Sequence, residues 1–389
     1  MHPPREGGGS IVFVSLARGL GGSTKSLATV LGLLEGRVNR VLAAPTGSKY
    51  MDYVHKHGLV DGEVALWDSS QHRDWRVKRL IAAIRLIRWV RRNRSRVVAI
   101  HANGPEEVNI AAPAALLAKV PLVVWNHAFE VSPWVKRLGP LWRRLLYRHE
   151  VRWAAVSGVA RGVLTDGGMV LPDRVAIVPN PIDPGDVRAE QRQPRQRSER
   201  VTVGFIGSAE QRKGFQLLPD LVEALSDVPL HWTFYTNEMS RDADQQEVVW
   251  ERLRAQPPER VSFPGKVEDI RKAYARCDIV FCPSTKESFC RVAAEAMMNG
   301  VPVVASDLEP LRYLLGDEDA GLLFPKGDAV QAAMAIRRLA GDAALRERLG
   351  AGGRRRAEDF KPATVVRQLN NLYGIDAAPR TVRNGLRIP

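Results

Sequence analysis

Short β-branched runs alternate with helix-length segments along nearly the whole chain, and this alternation constrains the fold more than any other feature. The runs are residues 11–16, 97–100 and 122–125 in one half and residues 201–206, 232–235 and 301–305 in the other. Between the halves, residues 184–200 are polar, contain proline and show no apolar periodicity, the pattern of an interdomain linker. Strand and helix alternating on both sides argue for an α/β chain of two Rossmann-like parallel-sheet domains. The expected division is residues 1–185, a linker at 186–200 and a second domain at 201–360. With 389 residues and 45% hydrophobic content, each half can bury a core of its own. Ligands of such sheets bind outside the carboxyl ends of the strands, so the loops that follow strands are where site residues are sought.

One such loop leads into two carboxylates eight residues apart, Glu287-Ser288-Phe289-Cys290-Arg291-Val292-Ala293-Ala294-Glu295. Residues 279–281 read as a strand, 283–287 as a loop, 293–298 as a helix of strong formers, and 301–305 as the next strand. At about 1.5 Å of rise per residue, groups eight residues apart lie within roughly 12 Å along a helix axis. That is the span of a sugar diphosphonucleoside's middle. Glu287 would take a hexose hydroxyl, Glu295 the ribose, and the free backbone N–H groups near Phe289 and Cys290 the diphosphate. A glycosidase acid and base must instead converge to about 5 to 9.5 Å across one bond, which residues two turns apart on a helix do not easily do. Spacing alone also allows Glu287 as a helix cap and Glu295 as a solvated surface residue.

The stretch from Glu287 to Glu295, followed by Ala296-Met297-Met298-Asn299-Gly300-Val301-Pro302-Val303-Val304-Ala305, resembles the Glu-x7-Glu signature of family 4 retaining glycosyltransferases. The likeness extends over residues 10–373 and keeps the family's order. Leu20-Gly21-Gly22, residues 99–102, Val123-Val124-Trp125-Asn126-His127 and residues 177–183 match in the first half. In the second half, residues 201–207 leading to Arg212-Lys213-Gly214 look like the first strand and diphosphate loop of a donor domain. Residues 261–267, with Lys266 and Val267, look like its base-binding strand end, and residues 277–284 like the strand entering the signature. The resemblance implies GT-B architecture, with the two sheets facing a central cleft and a last helix near residues 361–375 returning to the first domain ahead of a basic tail at 376–389. It implies a UDP- or GDP-linked sugar donor and a glycan, lipid-linked or small-molecule acceptor, in polysaccharide or glycoconjugate biosynthesis. It also implies a front-face displacement with retention, in which the leaving phosphate accepts the acceptor's proton and no metal or cofactor takes part. Catalytic roles then fall to His127 near the transferred sugar, to Glu287, and to Lys213 as a charge-assisted donor to the diphosphate. Donor contacts fall to Gly21, Gly22, Gly207, Ser208, Arg212, Lys266, Val267, Ser288, Phe289, Cys290, Arg291 and Glu295. The chain departs from the pattern at Ser208, where arginine is common and Arg212 is the substitute at hand, and at Cys290-Arg291, where glycine and an apolar residue are common. It departs again at Thr236-Asn237 and at Glu309.

Charge divides the halves. Residues 1–190 hold 27 Lys and Arg against 16 Asp and Glu, whereas residues 201–389 balance at 26 each. The excess concentrates in the stretch opening at Arg76 and closing at Arg96, and in the one from Trp134 to Arg152, where aromatic and leucine residues interleave. Basic amphipathic helices of this kind suit an anionic membrane surface. The alternative is a helix packed on its own sheet, and in the first stretch Leu80, Ile84 and Ile87 form a narrow stripe suited to that. Nucleic acid would suit the charge too, but no nucleic-acid motif accompanies it. No run of 18 or more apolar residues is present, and the first nine residues lack the apolar core of a signal peptide, so a cytoplasmic protein is expected, peripheral on the membrane if the basic stretches bind there. Cys277, Cys282 and Cys290 are odd in number and lack metal-knuckle spacing, so they read as thiols without disulfide or zinc. A rival phosphate site is Gly19-Leu20-Gly21-Gly22-Ser23-Thr24-Lys25-Ser26, a P-loop in context except that Thr24 replaces the glycine before the lysine. A P-loop phosphotransferase is therefore the alternative enzyme.

Overall fold

The computed structural model describes residues 9–70, 74–130, 150–187, 200–236, 243–265, 267, 269–316 and 319–375. They form two compact units, one of residues up to Pro181 together with the helix Pro362–Tyr373, the other of Ile182–Lys361. The first unit's sheet contains β1 (Ser10–Val14), β2 (Asn39–Thr46), β3 (Gly62–Asp68), β4 (Val97–Ala102), β5 (Leu122–Asn126), β6 (Val151–Ala155) and β7 (Val175–Ile177). They are parallel throughout, in the order β3-β2-β1-β4-β5-β6-β7. The second unit's sheet contains β8 (Val201–Ile206), β9 (Leu230–Tyr235), β10 (Val261–Ser262), β11 (Ile279–Cys282), β12 (Val303–Ser306) and β13 (Gly321–Phe324). It too is parallel, in the order β10-β9-β8-β11-β12-β13. The expected class, two Rossmann-like parallel-sheet domains of the GT-B kind, is the one observed. The physical reason is legible in β1 and β5, where every residue is buried: parallel strands need crossover helices, and those cover both faces of the sheet.

In each sheet the strand order reverses beside the first strand, between β1 and β4 and between β8 and β11. Ligands of doubly wound sheets bind outside the carboxyl ends of the strands at that reversal, so topology nominates one place in each unit. The second unit's core is aromatic around it. Trp232 stacks with Phe234 along β9, and Phe281 meets the edge of Trp232 and stacks on Phe324 of β13. These contacts tie β11 to strands on either side and hold its end in place.

Two helices of the first unit bear on function. Pro362–Tyr373 buries Val365, Val366, Leu369 and Tyr373 and packs on the helix Gly22–Leu33; the Tyr373 hydroxyl lies 2.9 Å from Nδ1 of His101. Burial pushes the His101 pKa down to about 3, so its ring is neutral. The helix Trp75–Arg92 overturns the stripe read from sequence. Its buried residues are Lys78, Ala82, Leu86 and Val90, whereas Leu80 is 63% and Ile84 41% exposed. The helix packs against β3 and the alanine-rich helix Val108–Ala118, and that neighbour selects a face with Ala82 at its middle instead of the bulkier stripe. Among the described residues no helix is long and apolar enough to cross a membrane. The second basic stretch, the linker and the tail lie almost wholly outside the described residues.

Candidate functional site

The reversal in the second sheet is where the sequence-derived residues gather. β8 runs out at Gly207, whose φ of +150° glycine tolerates and whose N–H donates to the Tyr235 carbonyl at 3.2 Å. The chain passes Ser208 into a single 3-10 turn, Gln211–Lys213. Gly214 follows at φ +74°, so close to the Pro283 carbonyl that a Cβ there would collide with it. Beside it the Thr285 N–H donates to the Arg212 carbonyl at 2.8 Å. The loops leaving β8 and β11 are thus joined through their backbones. The result is an ion pair, Lys213 Nζ to Glu287 Oε1 at 2.5 Å, with the Ser284 hydroxyl donating to the same oxygen at 2.9 Å. Glu287 is buried. Burial draws the Lys213 pKa down, but Glu287, Cys290 and the hydrogen bond outweigh it and hold the ammonium charged. Glu287 caps no helix, because the residue at the cap of the next helix is Cys290 and it makes no side-chain capping bond.

Cys290 stands at φ +69°, a left-handed conformation uncommon outside glycine, and the helix begins only after it, at Arg291–Met298. This corrects the helical ruler: Glu287 belongs to the loop and Glu295 to the second turn, so the eight-residue spacing is not one of axial rise. Glu295 is no solvated surface residue either. Its side chain is 13% exposed, Oε1 pairs with Arg291 Nε at 3.3 Å, and Oε2 accepts from the Tyr274 hydroxyl at 2.7 Å. Tyr274 is fully buried on the helix Ile270–Arg276. Nothing in the sequence singles it out, since the contact joins residues 21 apart on different helices.

The other residues expected at the donor divide. The Phe289 ring packs edge-on to Phe360 at 5.7 Å, so it is core, and only its backbone is left for a ligand. Cys290 and Cys282 are buried and hydrogen-bonded to one another; that bond, then burial, pushes the Cys282 thiol well above its ordinary range and makes it a poor nucleophile. The Arg212 guanidinium pairs with Glu210 at 2.5 Å, apart from the Lys213–Glu287 pair. Ser208, Ser288 and Val267 are half-buried loop residues, and Lys266 lies outside the described residues.

In the first unit the loop after β1 holds Gly21 and Gly22, the latter opening the helix Gly22–Leu33. A Cβ at Gly21 would meet nothing, so the fold itself does not require glycine there. The Thr24 hydroxyl accepts from the Gly21 N–H at 2.7 Å and lies 3.2 Å from the Gly19 carbonyl, filling the turn whose amides a P-loop would present to phosphate. His127 follows β5 directly, its ring 4.3 Å from that of Trp125, in a turn closed by the Ala128 N–H donating to Asn126 Oδ1. A residue passed over in the sequence appears at the β1–β4 reversal. Glu107 is buried, accepts from the Leu16 N–H at 3.1 Å, and is pushed up to about 7 by burial. Its signal was available, an acidic pair five residues beyond a strand end in a loop of the kind where sites form.

Known proteins align with this arrangement over most of the chain. A family model described as Glycosyltransferase Family 4 matches residues 7–186, and one described as Glycosyl transferases group 1 matches residues 186–356. A phosphatidyl-myo-inositol mannosyltransferase of Mycobacterium leprae is 35% identical over 183 residues, 44% of this chain and 46% of that protein. The chain therefore spans just under half the length of that relative. A phosphatidyl-myo-inositol mannosyltransferase of Mycobacterium tuberculosis is 30% identical over 287 residues, 70% of this chain and 72% of that protein. Among solved structures, Anabaena HepE in complex with UDP superposes with a TM-score of 0.77 at 19% identity, over 94% of this chain and 99% of that one. Two abutting family models, a relative matched over most of its length and a shared two-domain fold agree: the chain belongs to the family 4 glycosyltransferases.

Proposed function

We propose that the chain moves a hexosyl group from a UDP- or GDP-linked sugar to an acceptor with retention of configuration, in the building of a polysaccharide or glycoconjugate. The observation that carries this reading is the charged Lys213 paired with the buried Glu287 at the β8–β11 reversal. A cation for the diphosphate stands there beside a carboxylate for a sugar hydroxyl. Glu295, on the second turn of the following helix, takes the ribose. The bond from the anomeric carbon to the leaving phosphate breaks as the acceptor oxygen attacks from the same face, and a phosphate oxygen takes the acceptor's proton. Lys213 and the backbone N–H groups at Phe289 and Cys290 stabilise the charge that develops. A metal ion has no part in this scheme. The role of His127, a hydrogen bond to the transferred sugar, rests on the family resemblance.

The acceptor is taken to be lipid-linked and the enzyme to meet an anionic membrane. Two observations support this: some of the relatives are named for phosphatidyl-myo-inositol, though others are named for D-inositol 3-phosphate, and the helix Trp75–Arg92 exposes Trp75, Val77, Leu80 and Ile84 together with arginines. Thermal unfolding with a panel of nucleotide sugars in the presence of a chelator tests the core of the reading. A UDP or GDP sugar is expected to raise the melting temperature, and Glu295→Ala to abolish the rise. Stabilisation by magnesium ATP alone, lost in Lys25→Ala, would instead indicate the phosphotransferase.

A further inference from the structure

Glu295 is held from two sides, by one group that helical spacing sets beside it and by another that only the fold brings there. The Tyr274 hydroxyl, on the separate helix Ile270–Arg276, donates to Oε2 at 2.7 Å, and Arg291, one helical turn ahead, pairs through Nε with Oε1 at 3.3 Å. A carboxylate offers two lone-pair positions on each oxygen. One on each is taken, and one on each remains. That pattern matches two adjacent hydroxyl donors, the vicinal diol of a ribose, arriving together. The Tyr274 ring is fully buried, and the backbone of Glu295 is itself tied down by the Asn299 side-chain amide, which donates to the Glu295 carbonyl at 2.9 Å. The carboxylate is therefore restrained at both oxygens and at its own backbone before any ligand arrives, and a restrained acceptor loses less rotamer freedom on binding.

We propose that Tyr274 and Arg291 are positioning residues that fix the Glu295 carboxylate for a ribose diol and so give the chain its preference for ribonucleotides over 2′-deoxyribonucleotides. This rests on the reading of Glu295 as the ribose contact. Removal of the Tyr274 hydroxyl frees one carboxylate oxygen to rotate or to take water, and the cost falls on a ligand that needs both oxygens. A 2′-deoxy ligand has only one hydroxyl to place and is affected less.

Calorimetric titration of the full chain with UDP, 2′-deoxy-UDP, GDP and 2′-deoxy-GDP tests the proposal. Wild type is expected to favour the ribonucleotide of the pair that it binds, and Tyr274→Phe to shrink that preference about five- to ten-fold while leaving deoxynucleotide affinity within about twofold. In a Glu295→Gln background, Tyr274→Phe should leave the preference unchanged, because the tyrosine acts through that carboxylate. Equal losses for ribo and deoxy ligands would reduce Tyr274 to a structural residue and overturn the proposal, as would an unaltered preference. Arg291→Leu, on the edge of the same carboxylate, is expected to shrink the preference independently, and it decides the matter if Tyr274→Phe does not fold. A wild-type chain that binds none of the four nucleotides defeats the proposed function itself, an outcome distinct from failure of this inference.

Discussion

Lys213 and Glu287 are 74 residues apart in sequence and 2.5 Å apart in the fold. What joins them is backbone: Gly214 under the Pro283 carbonyl and Thr285 on the Arg212 carbonyl. The side chains are 20% and 8% exposed, so the pair lies where removing one partner leaves a poorly solvated charge. Lys213→Ala, which leaves the more deeply buried Glu287 without its cation, should therefore cost about 2–3 kcal/mol in urea unfolding, Glu287→Ala less, and the double variant less than the sum by about 1–2 kcal/mol. Simple additivity would mean that the ammonium and carboxylate do not depend on each other. At this scale the sequence named both residues, because each belongs to a recognisable loop, but not their bond. Tyr274 was invisible for the same reason, since its only mark is the partner it meets.

Among the elements, the helix Trp75–Arg92 shows where periodicity misleads. Its stripe of Leu80, Ile84 and Ile87 and its buried line of Lys78, Ala82, Leu86 and Val90 both repeat with helical spacing, and composition favours the first. The neighbour chose the second, since the helix lies on β3 and beside the helix Val108–Ala118. Arg79 is committed to Glu106 at 3.1 Å and Arg85 to carbonyls of β3, while Arg88, Arg91 and Arg92 are exposed. Each basic residue close to an anionic surface contributes about 1 kcal/mol, and the apolar side chains add insertion. Leu80→Glu combined with Ile84→Glu should lower co-sedimentation with phosphatidylglycerol vesicles at least about tenfold without lowering the melting temperature. Equal binding by the variant would remove this face from the account of membrane contact. The signature element behaves differently. Its strand, loop and helix were legible from breakers and formers, but the left-handed turn at Cys290 was not, since a cysteine carries no such preference.

For the whole molecule, each parallel sheet reverses beside its first strand, and each reversal holds a charged or titratable group in an unusual environment: Lys213, paired with Glu287, at one, Glu107 at the other. Glu107 gives a test by pH. Burial raises its pKa from an ordinary 4.5 to about 7, so the folded chain keeps a proton that the unfolded chain has released. Its stabilising contribution is complete below pH 4.5 and is lost as pH rises through 7. Relative to wild type, Glu107→Gln should therefore gain about 3 kcal/mol of unfolding free energy between pH 4.5 and 7.5. His101, lowered to about 3, works in the opposite sense, losing stability as pH falls below 6.5, and comparison at each pH cancels it. A constant difference would show that Glu107 ionises as it does in water. The sequence by itself determined two parallel α/β halves and marked the loops that carry the candidate residues, because strand runs, breakers and a dense motif are local properties of a chain. Only the tertiary structure decided which face of the basic helix is buried, that Glu287 meets Lys213, and that Tyr274 reaches Glu295. Those outcomes depend on which distant backbone or side chain arrives within bonding distance, and no local periodicity encodes that.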